Sequence, residues 1–225
     1  VILLHGLGRT RLAMIPLAWR LKKQGYRVTN LGYFGPSGLE KAVARTSRNL
    51  ERFADEPLDF VTHSMGGMVA RGFLSRHPGR GRRLVQLAPP NRGSDLADRV
   101  RRLPFLGGVA AFKDLGQQSP ERKVDLPEIP QVEVGVVAGQ SFGPWLGAAG
   151  DGIVRVSETY LPEARDWIVV PAFHTVIMNT RVAYENVVHF LEEGAFGPGA
   201  TRLVYDKETG EAREVGQPVG LLEAE

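Results

Sequence analysis

Hydrophobic and polar positions along this chain fall into two alternating rhythms. Short apolar runs, Val1-Ile2-Leu3-Leu4, Leu58-Asp59-Phe60-Val61 and Leu84-Val85-Gln86-Leu87-Ala88, have the character of strands buried on both faces. Between them, apolar residues recur at helical spacing. Met14, Leu17, Ala18 and Leu21 predict a helix that starts near Pro16 and stops at Gly25. Tyr26 to Tyr33 follows as a strand. Ser37-Gly38-Leu39-Glu40 reads as a capping box opening a second helix, with Leu39, Val43, Thr46, Leu50 and Phe53 on one face. Met68 to His77 reads as a third helix. The order β-α-β-α-β-α-β implies an α/β fold with a doubly wound, mostly parallel sheet.

Asn91 to Gln131 breaks this rhythm. About 40 residues is too long for a simple connection, so we expect a lid-like insertion over one end of the sheet at 91–131. Its apolar stretch, Leu103 to Phe112, suits an acyl site or lid and ordinary core packing equally. Strand character resumes at Val132 to Ala138. A Gly/Pro-rich loop from Gly139 to Gly152 carries Asp151, and Asp166 to Val170 is the last clear parallel strand, giving about six in all. A helix then places Tyr184, Val187, Val188 and Leu191 on one face and ends at Gly194. The tail predicts a hairpin, Thr201 to Tyr205 and Glu211 to Val215, packed at the surface. We therefore expect one domain at 1–196 and a C-terminal extension, 197–225, packed on it.

Composition narrows the function classes. With 43% hydrophobic and 24% charged residues, the 225-residue chain has the balance of a soluble globular protein. No apolar run reaches the length of a spanning helix, so we expect no transmembrane segment and, at most, transient contact with a lipid interface. A cytoplasmic location is the expectation. The chain opens on a strand without an initiator Met, so a secreted or membrane-anchored form stays open. Zero cysteines exclude disulfides, thiolate chemistry and Cys-ligated zinc. The net charge is only +3, and the basic clusters Arg80-Gly81-Arg82-Arg83 and Arg99-Val100-Arg101-Arg102 lack aromatic interleaving. They read as solvated surface, and nucleic acid is not an expected partner.

Candidate chemistry gathers where such sheets bind ligands, at the carboxyl ends of the strands. Val61-Thr62-His63-Ser64-Met65-Gly66-Gly67 places a serine at a strand-to-helix turn, the nucleophile-elbow arrangement, although Thr62 stands where G-x-S-x-G has glycine. The competing reading of Ser64 is a helix cap. A serine nucleophile needs a base, and His174, just past the last parallel strand, is placed to supply it. His77 and His189 sit on helices, and His63 is expected to point to the other side of its strand. Asp151 is the expected orienting acid, with an Asp-Gly turn as its plainer reading. Among its rivals, Asp166 starts a strand at the wrong end of the sheet, and Asp114 and Asp125 belong to the insertion. The expected oxyanion hole uses the N–H groups of Met65 and of Leu7 in the loop after the first strand. His5 is read as a scaffold residue of that loop.

With these residues assembled, the chain resembles the α/β-hydrolase superfamily, and within it small serine esterases and lipases. The resemblance rests on Leu4-His5-Gly6-Leu7-Gly8, Thr62-His63-Ser64-Met65-Gly66-Gly67, Asp151-Gly152-Ile153-Val154 and Phe173-His174-Thr175. It spans Val1 to about Leu191. The His-Ser-Met-Gly-Gly and His-Gly-Leu-Gly stretches are similar to those of small bacterial lipases and of GPI inositol-deacylase-like hydrolases. The resemblance implies the α/β-hydrolase fold without its first two strands, and hydrolysis of a small-molecule or lipid ester through an acyl-enzyme. It implies no cofactor and no metal. Small lipases accept alanine at the position of Thr62, where a β-branched side chain is expected to crowd the turn. An amide or thioester hydrolase, an acyltransferase, and a non-catalytic binding member of the fold stay open as alternatives, as does the oligomeric state.

Overall fold

The computed structural model describes residues 1–53, 56–101, 110–115, 128–141 and 150–215. Six parallel strands form the body of one sheet: β1 (Ile2–Leu4), β2 (Thr29–Leu31), β3 (Leu58–His63), β4 (Gly81–Leu87), β5 (Glu133–Gln140) and β6 (Asp166–Pro171). Two further strands, β7 (Thr201–Tyr205) and β8 (Ala212–Glu214), bring the sheet to eight in the order β2-β1-β3-β4-β5-β6-β7-β8. The first five pairings are parallel and the last two antiparallel. The tail hairpin is thus no mere surface packing. It adds two strands to the expected six, because Ile168 and Val169 of β6 still offer an unpaired edge that Arg202 and Thr201 take up.

Helices cover both faces: α1 (Ile15–Lys23), α2 (Leu39–Leu50), α3 (Met65–Arg76) and α6 (Arg181–Glu193). Alternation along each strand divides the core in two. Ile2, Leu4, Phe60, Leu84 and Val136 join Leu39, Val43, Val69 and Phe73 of α2 and α3. Leu3, Val61, Val85, Leu87 and Val137 join Leu17, Leu21, Val187 and Phe190 of α1 and α6. Neighbouring residues of one strand are buried against opposite layers, which is why the strands read as apolar runs rather than alternating patterns. Each such side chain contributes roughly 1.5–3 kcal/mol.

The helix ends hold two corrections. Residue Ser37 does not cap α2; its hydroxyl donates to the Phe34 carbonyl, and the cap position is Gly38 at φ 95°. The first N–H of the helix, on Leu39, is taken by the Asp114 carboxylate at 2.6 Å, from α5 (Ala110–Leu115). A long-range carboxylate has replaced the local box. Helix α3 starts at Met65, three residues before the expected Met68, so its first turn directly abuts Ser64.

Of the insertion, α4 (Asp95–Arg101), α5 and residues 128–131 are described. The Leu103-to-Gly108 stretch, the Gln117-to-Lys123 stretch and Asp125 lie outside the described residues, as do 142–149 and 216–225. No described helix is long and apolar enough to cross a membrane.

Candidate active site

Strand β3 delivers its last residue, His63, to the carboxyl edge of the sheet, and the chain then turns sharply at Ser64. Ser64 has φ 52° and ψ −125°, a conformation L-residues avoid, held by Ser64 N–H donating to the Leu87 carbonyl at 2.8 Å. Just past the neighbouring strand β4, Ala88 is also at positive φ, 50°, so among the described residues strain in non-glycine residues is concentrated at the ends of two central strands. Helix α3 can start this close only because position 66 is glycine. A Cβ there would stand 2.6 Å from the Leu4 carbonyl oxygen. Ser64 makes no side-chain cap on α3, so its hydroxyl is left for other work.

Thr62 does not crowd this turn. It is still within β3, paired with Leu4 and Gln86, and its buried hydroxyl donates to the Val85 carbonyl at 3.3 Å.

The loop after β1 comes next to the serine. A Cβ on Gly6 would stand 2.9 Å from His63 Nδ1 and 3.0 Å from Ser64 Cβ, so only glycine fits. His5 fixes the loop from behind, in keeping with its reading as scaffold. Its Nε2 accepts from Tyr33 N–H at 3.3 Å, which places the proton on Nδ1, and Nδ1 donates to the Gly6 carbonyl at 2.9 Å. Tyr33 stacks on the imidazole at 4.3 Å and donates its hydroxyl to the His5 carbonyl. Burial lowers the His5 pKa and keeps the ring neutral, as this tautomer requires. Leu7 then lines the pocket beside Ser64. Among the described residues no main-chain carbonyl takes up the Leu7 N–H, and Met65, as the first residue of α3, has no acceptor within its helix.

On the opposite wall, His174 Nδ1 donates to Asp151 Oδ2 at 2.7 Å, and His174 N–H to the Asp151 carbonyl at 2.9 Å. The other carboxylate oxygen, Oδ1, accepts from Ile153 N–H (3.0 Å) and Val154 N–H (2.8 Å). Asp151 is therefore both turn residue and imidazole partner, and at 1% exposure it is shielded from water. Ser64 and His174 line the same cavity of about 310 Å³. Among the described residues no hydrogen bond joins the hydroxyl to the imidazole. Leu96, Ala97, Leu115, Ile153 and Val154 make the rest of the cavity largely apolar. The insertion thus supplies part of its wall, and Glu158 pins that wall, its carboxylate accepting from Asp95 N–H and Arg155 N–H at 2.8 Å each. Burial raises the pKa of Glu158.

The rival residues are elsewhere. His77 contacts Ser47 and Phe73, His189 faces the Ala195 carbonyl, and Asp166 binds Arg202. His63, however, does not point away. It lines the cavity, its ring lies 4.8 Å from that of His174, and its Nε2 donates to the His174 carbonyl at 2.9 Å. Strand alternation mispredicted it because His63 is the last strand residue and the turn behind it reorients the chain. Its Nδ1 is buried and unpaired, and burial holds its pKa well below the ordinary range. His63 is thus a neutral strut beneath the His174 backbone. With no donor to that carbonyl, His63→Phe is expected to lower kcat for the ester hydrolysis anticipated from the sequence about tenfold to a hundredfold, since ångström-scale misplacement costs ~10². KM should stay within about threefold, and steady-state kinetics on a soluble ester measures both.

Among the described residues no group of three or more His, Asp or Glu side chains is arranged to hold a metal ion.

The family model described as "Alpha/beta hydrolase family" matches residues 1–189. No curated protein sequence matches. Among solved structures the chain is similar to the mature lipase BlEst2 of Bacillus licheniformis, with TM-score 0.67 and 18% identity over 86% of this chain and 90% of that one. It is also similar to a metagenomic carboxyl esterase, with TM-score 0.63 and 18% identity over 78% of this chain and 64% of that one. A thioesterase domain from the curacin biosynthetic pathway gives TM-score 0.55 and 19% identity over 78% and 85%. At these identities the likeness is one of fold.

Proposed function

This chain belongs to the alpha/beta hydrolase family, and from that premise we propose that it is a serine hydrolase cleaving carboxylic esters through an acyl-enzyme. The observation that carries the reading is the Asp151–His174 pair at 2.7 Å facing a strained, uncapped Ser64 across one apolar cavity. A serine hydroxyl is a poor nucleophile until a base removes its proton. With Nδ1 committed to Asp151, the imidazole presents its bare Nε2 to Ser64. Attack by Oγ on the ester carbonyl creates an oxyanion, and the N–H groups of Leu7 and Met65 receive it. One such donor is typically worth ~10²–10³ in rate. The imidazolium returns the proton to the departing alcohol. The neutral imidazole left behind then takes a proton from water as that oxygen attacks the acyl carbonyl, and it returns the proton to Ser64 Oγ as the acyl bond breaks and the acid leaves. The apolar wall of Leu96, Ala97, Leu115, Ile153 and Val154 accommodates the acyl chain, and at about 310 Å³ the cavity lies at the small end of ligand pockets, ~300–1,000 Å³.

A matched panel of p-nitrophenyl butyrate, its thioester and its anilide tests the substrate class. The oxyester is expected to turn over, and the anilide to react at least ~10²-fold more slowly, because an amine leaving group depends more heavily on proton delivery. Faster turnover of the thioester or anilide would reassign the class within the same machinery.

A further inference from the structure

The segment from Arg9 to Lys23 has a second apolar face that the fold does not bury. Met14, Leu17, Ala18 and Leu21 enter the core, whereas Leu12, Ile15 and Trp19 stand 64%, 50% and 58% exposed. They follow one another at i, i+3 and i+7 across a 3-10 turn (Arg11–Met14) and α1, so they form one stripe. The same fifteen residues carry five cations, Arg9, Arg11, Arg20, Lys22 and Lys23, and no acid. Arg20 is turned inward, donating to the Asn179 carbonyl at 3.0 Å and lying over Tyr184. Lys23, by contrast, stays on the stripe, its ammonium 4.5 Å from the Trp19 ring. At the other end Arg9 lines the catalytic cavity and donates to the Thr175 carbonyl at 3.3 Å. That contact ties the stripe to the loop carrying Phe173 and Val176, 55% and 45% exposed. Exposed apolar side chains therefore stand on both sides of Arg9, those from Leu12 to Trp19 on one and Phe173 and Val176 on the other, beside the cavity that Arg9 lines.

We propose that this stripe docks the protein on an anionic phospholipid surface, with the cavity mouth turned toward the bilayer. The charge pattern selects the occupant. Cations at both ends of an aliphatic and aromatic stripe, with no acid among them, match phosphate headgroups around an apolar acyl boundary. Long lysine and arginine stems can lie along the apolar surface while their heads reach the phosphates. Trp19 beside Lys23 suits the headgroup level, where an amphipathic ring is at home. Such docking needs no turnover, so it goes beyond the esterase reading and stands or falls apart from it.

Sedimentation of the full chain with phosphatidylglycerol/phosphatidylcholine vesicles tests the proposal without any substrate. The wild-type protein is expected to partition to the mixed vesicles and to lose at least about tenfold in partition coefficient on pure phosphatidylcholine. Ile15→Ser/Trp19→Ser should weaken binding to the mixed vesicles by at least about tenfold, and Lys22→Gln/Lys23→Gln by about tenfold to thirtyfold. A thermal melt within a few degrees of wild type verifies that each variant is folded. Absence of vesicle binding, or equal binding by the apolar variant, overturns the proposal. So does a wild-type dimer in sedimentation velocity that the apolar substitutions dissociate, since the stripe would then be covered by a second copy.

Discussion

Ser64→Ala is expected to lower kcat/KM for p-nitrophenyl butyrate by at least ~10⁴ and to abolish labelling by a fluorophosphonate probe, with the melting temperature nearly unchanged. The size of the loss follows from the proposed chemistry: without Oγ no acyl-enzyme forms, and only the oxyanion donors and the cavity remain. The small change in stability follows from the geometry. Ser64 caps no N–H of α3, and alanine at φ 52° bears the same backbone strain as serine. Ser64→Gly separates the two effects further. Glycine accepts positive φ freely, so this variant should be equally inactive yet more stable, by about 1 kcal/mol in a denaturant titration. Retained hydrolysis or labelling in Ser64→Ala would place the nucleophile elsewhere. A wild-type protein that neither hydrolyses esters nor takes the probe would move the chain to the non-catalytic alternative.

What the sequence made legible was whatever rests on local pattern. Runs such as Val1 to Leu4 and the helical spacing of Leu39 to Leu50 reflect burial on two faces or one, and burial is written in residue type. That Ser64, Asp151 and His174 would come to one edge of the sheet was equally readable, because each follows the carboxyl end of a strand and the topology brings those ends together. Several misreadings share one cause, a partner distant in the chain. The Ser37–Glu40 box satisfies every local requirement, yet Asp114, 75 residues from Leu39, takes the N–H instead. The tail hairpin has the same local form at a surface or on a sheet edge; only the open side of β6 decides. Tyr33 has no motif of its own and matters through its position over His5. His63 could have been found by a different question: not which side of the strand it faces, but what a buried imidazole next to the elbow would bond. The answer, the His174 carbonyl, lies 111 residues away.

Asp151→Asn is expected to cost about 10⁴ in kcat/KM in a protein that remains folded, and the hydrogen bonds around the carboxylate say why. One oxygen receives Ile153 N–H and Val154 N–H, the other receives His174 Nδ1–H. An asparagine has only one oxygen for these three donors. If its amide oxygen faces the two backbone N–H groups, both bonds survive and the NH₂ meets the imidazole. His174 must then bare Nδ1 and carry its proton on Nε2, where it cannot take the Ser64 proton. The flipped amide would keep the imidazole correct but set its NH₂ against two buried N–H donors. The flipped amide carries two donor conflicts and the first arrangement, once the tautomer has shifted, carries none, so the first arrangement wins and the base is held in the inactive tautomer. Asp151→Ala distinguishes this account from simple loss of charge. It leaves Ile153 and Val154 N–H unpaired, at about 1–3 kcal/mol each, so it should melt well below Asp151→Asn while leaving the imidazole free to adopt either tautomer. The alanine variant is therefore expected to be the less stable and the more active of the two. Asp151→Asn hydrolysing the ester within tenfold of wild type would show that His174 does not depend on this carboxylate for its orientation.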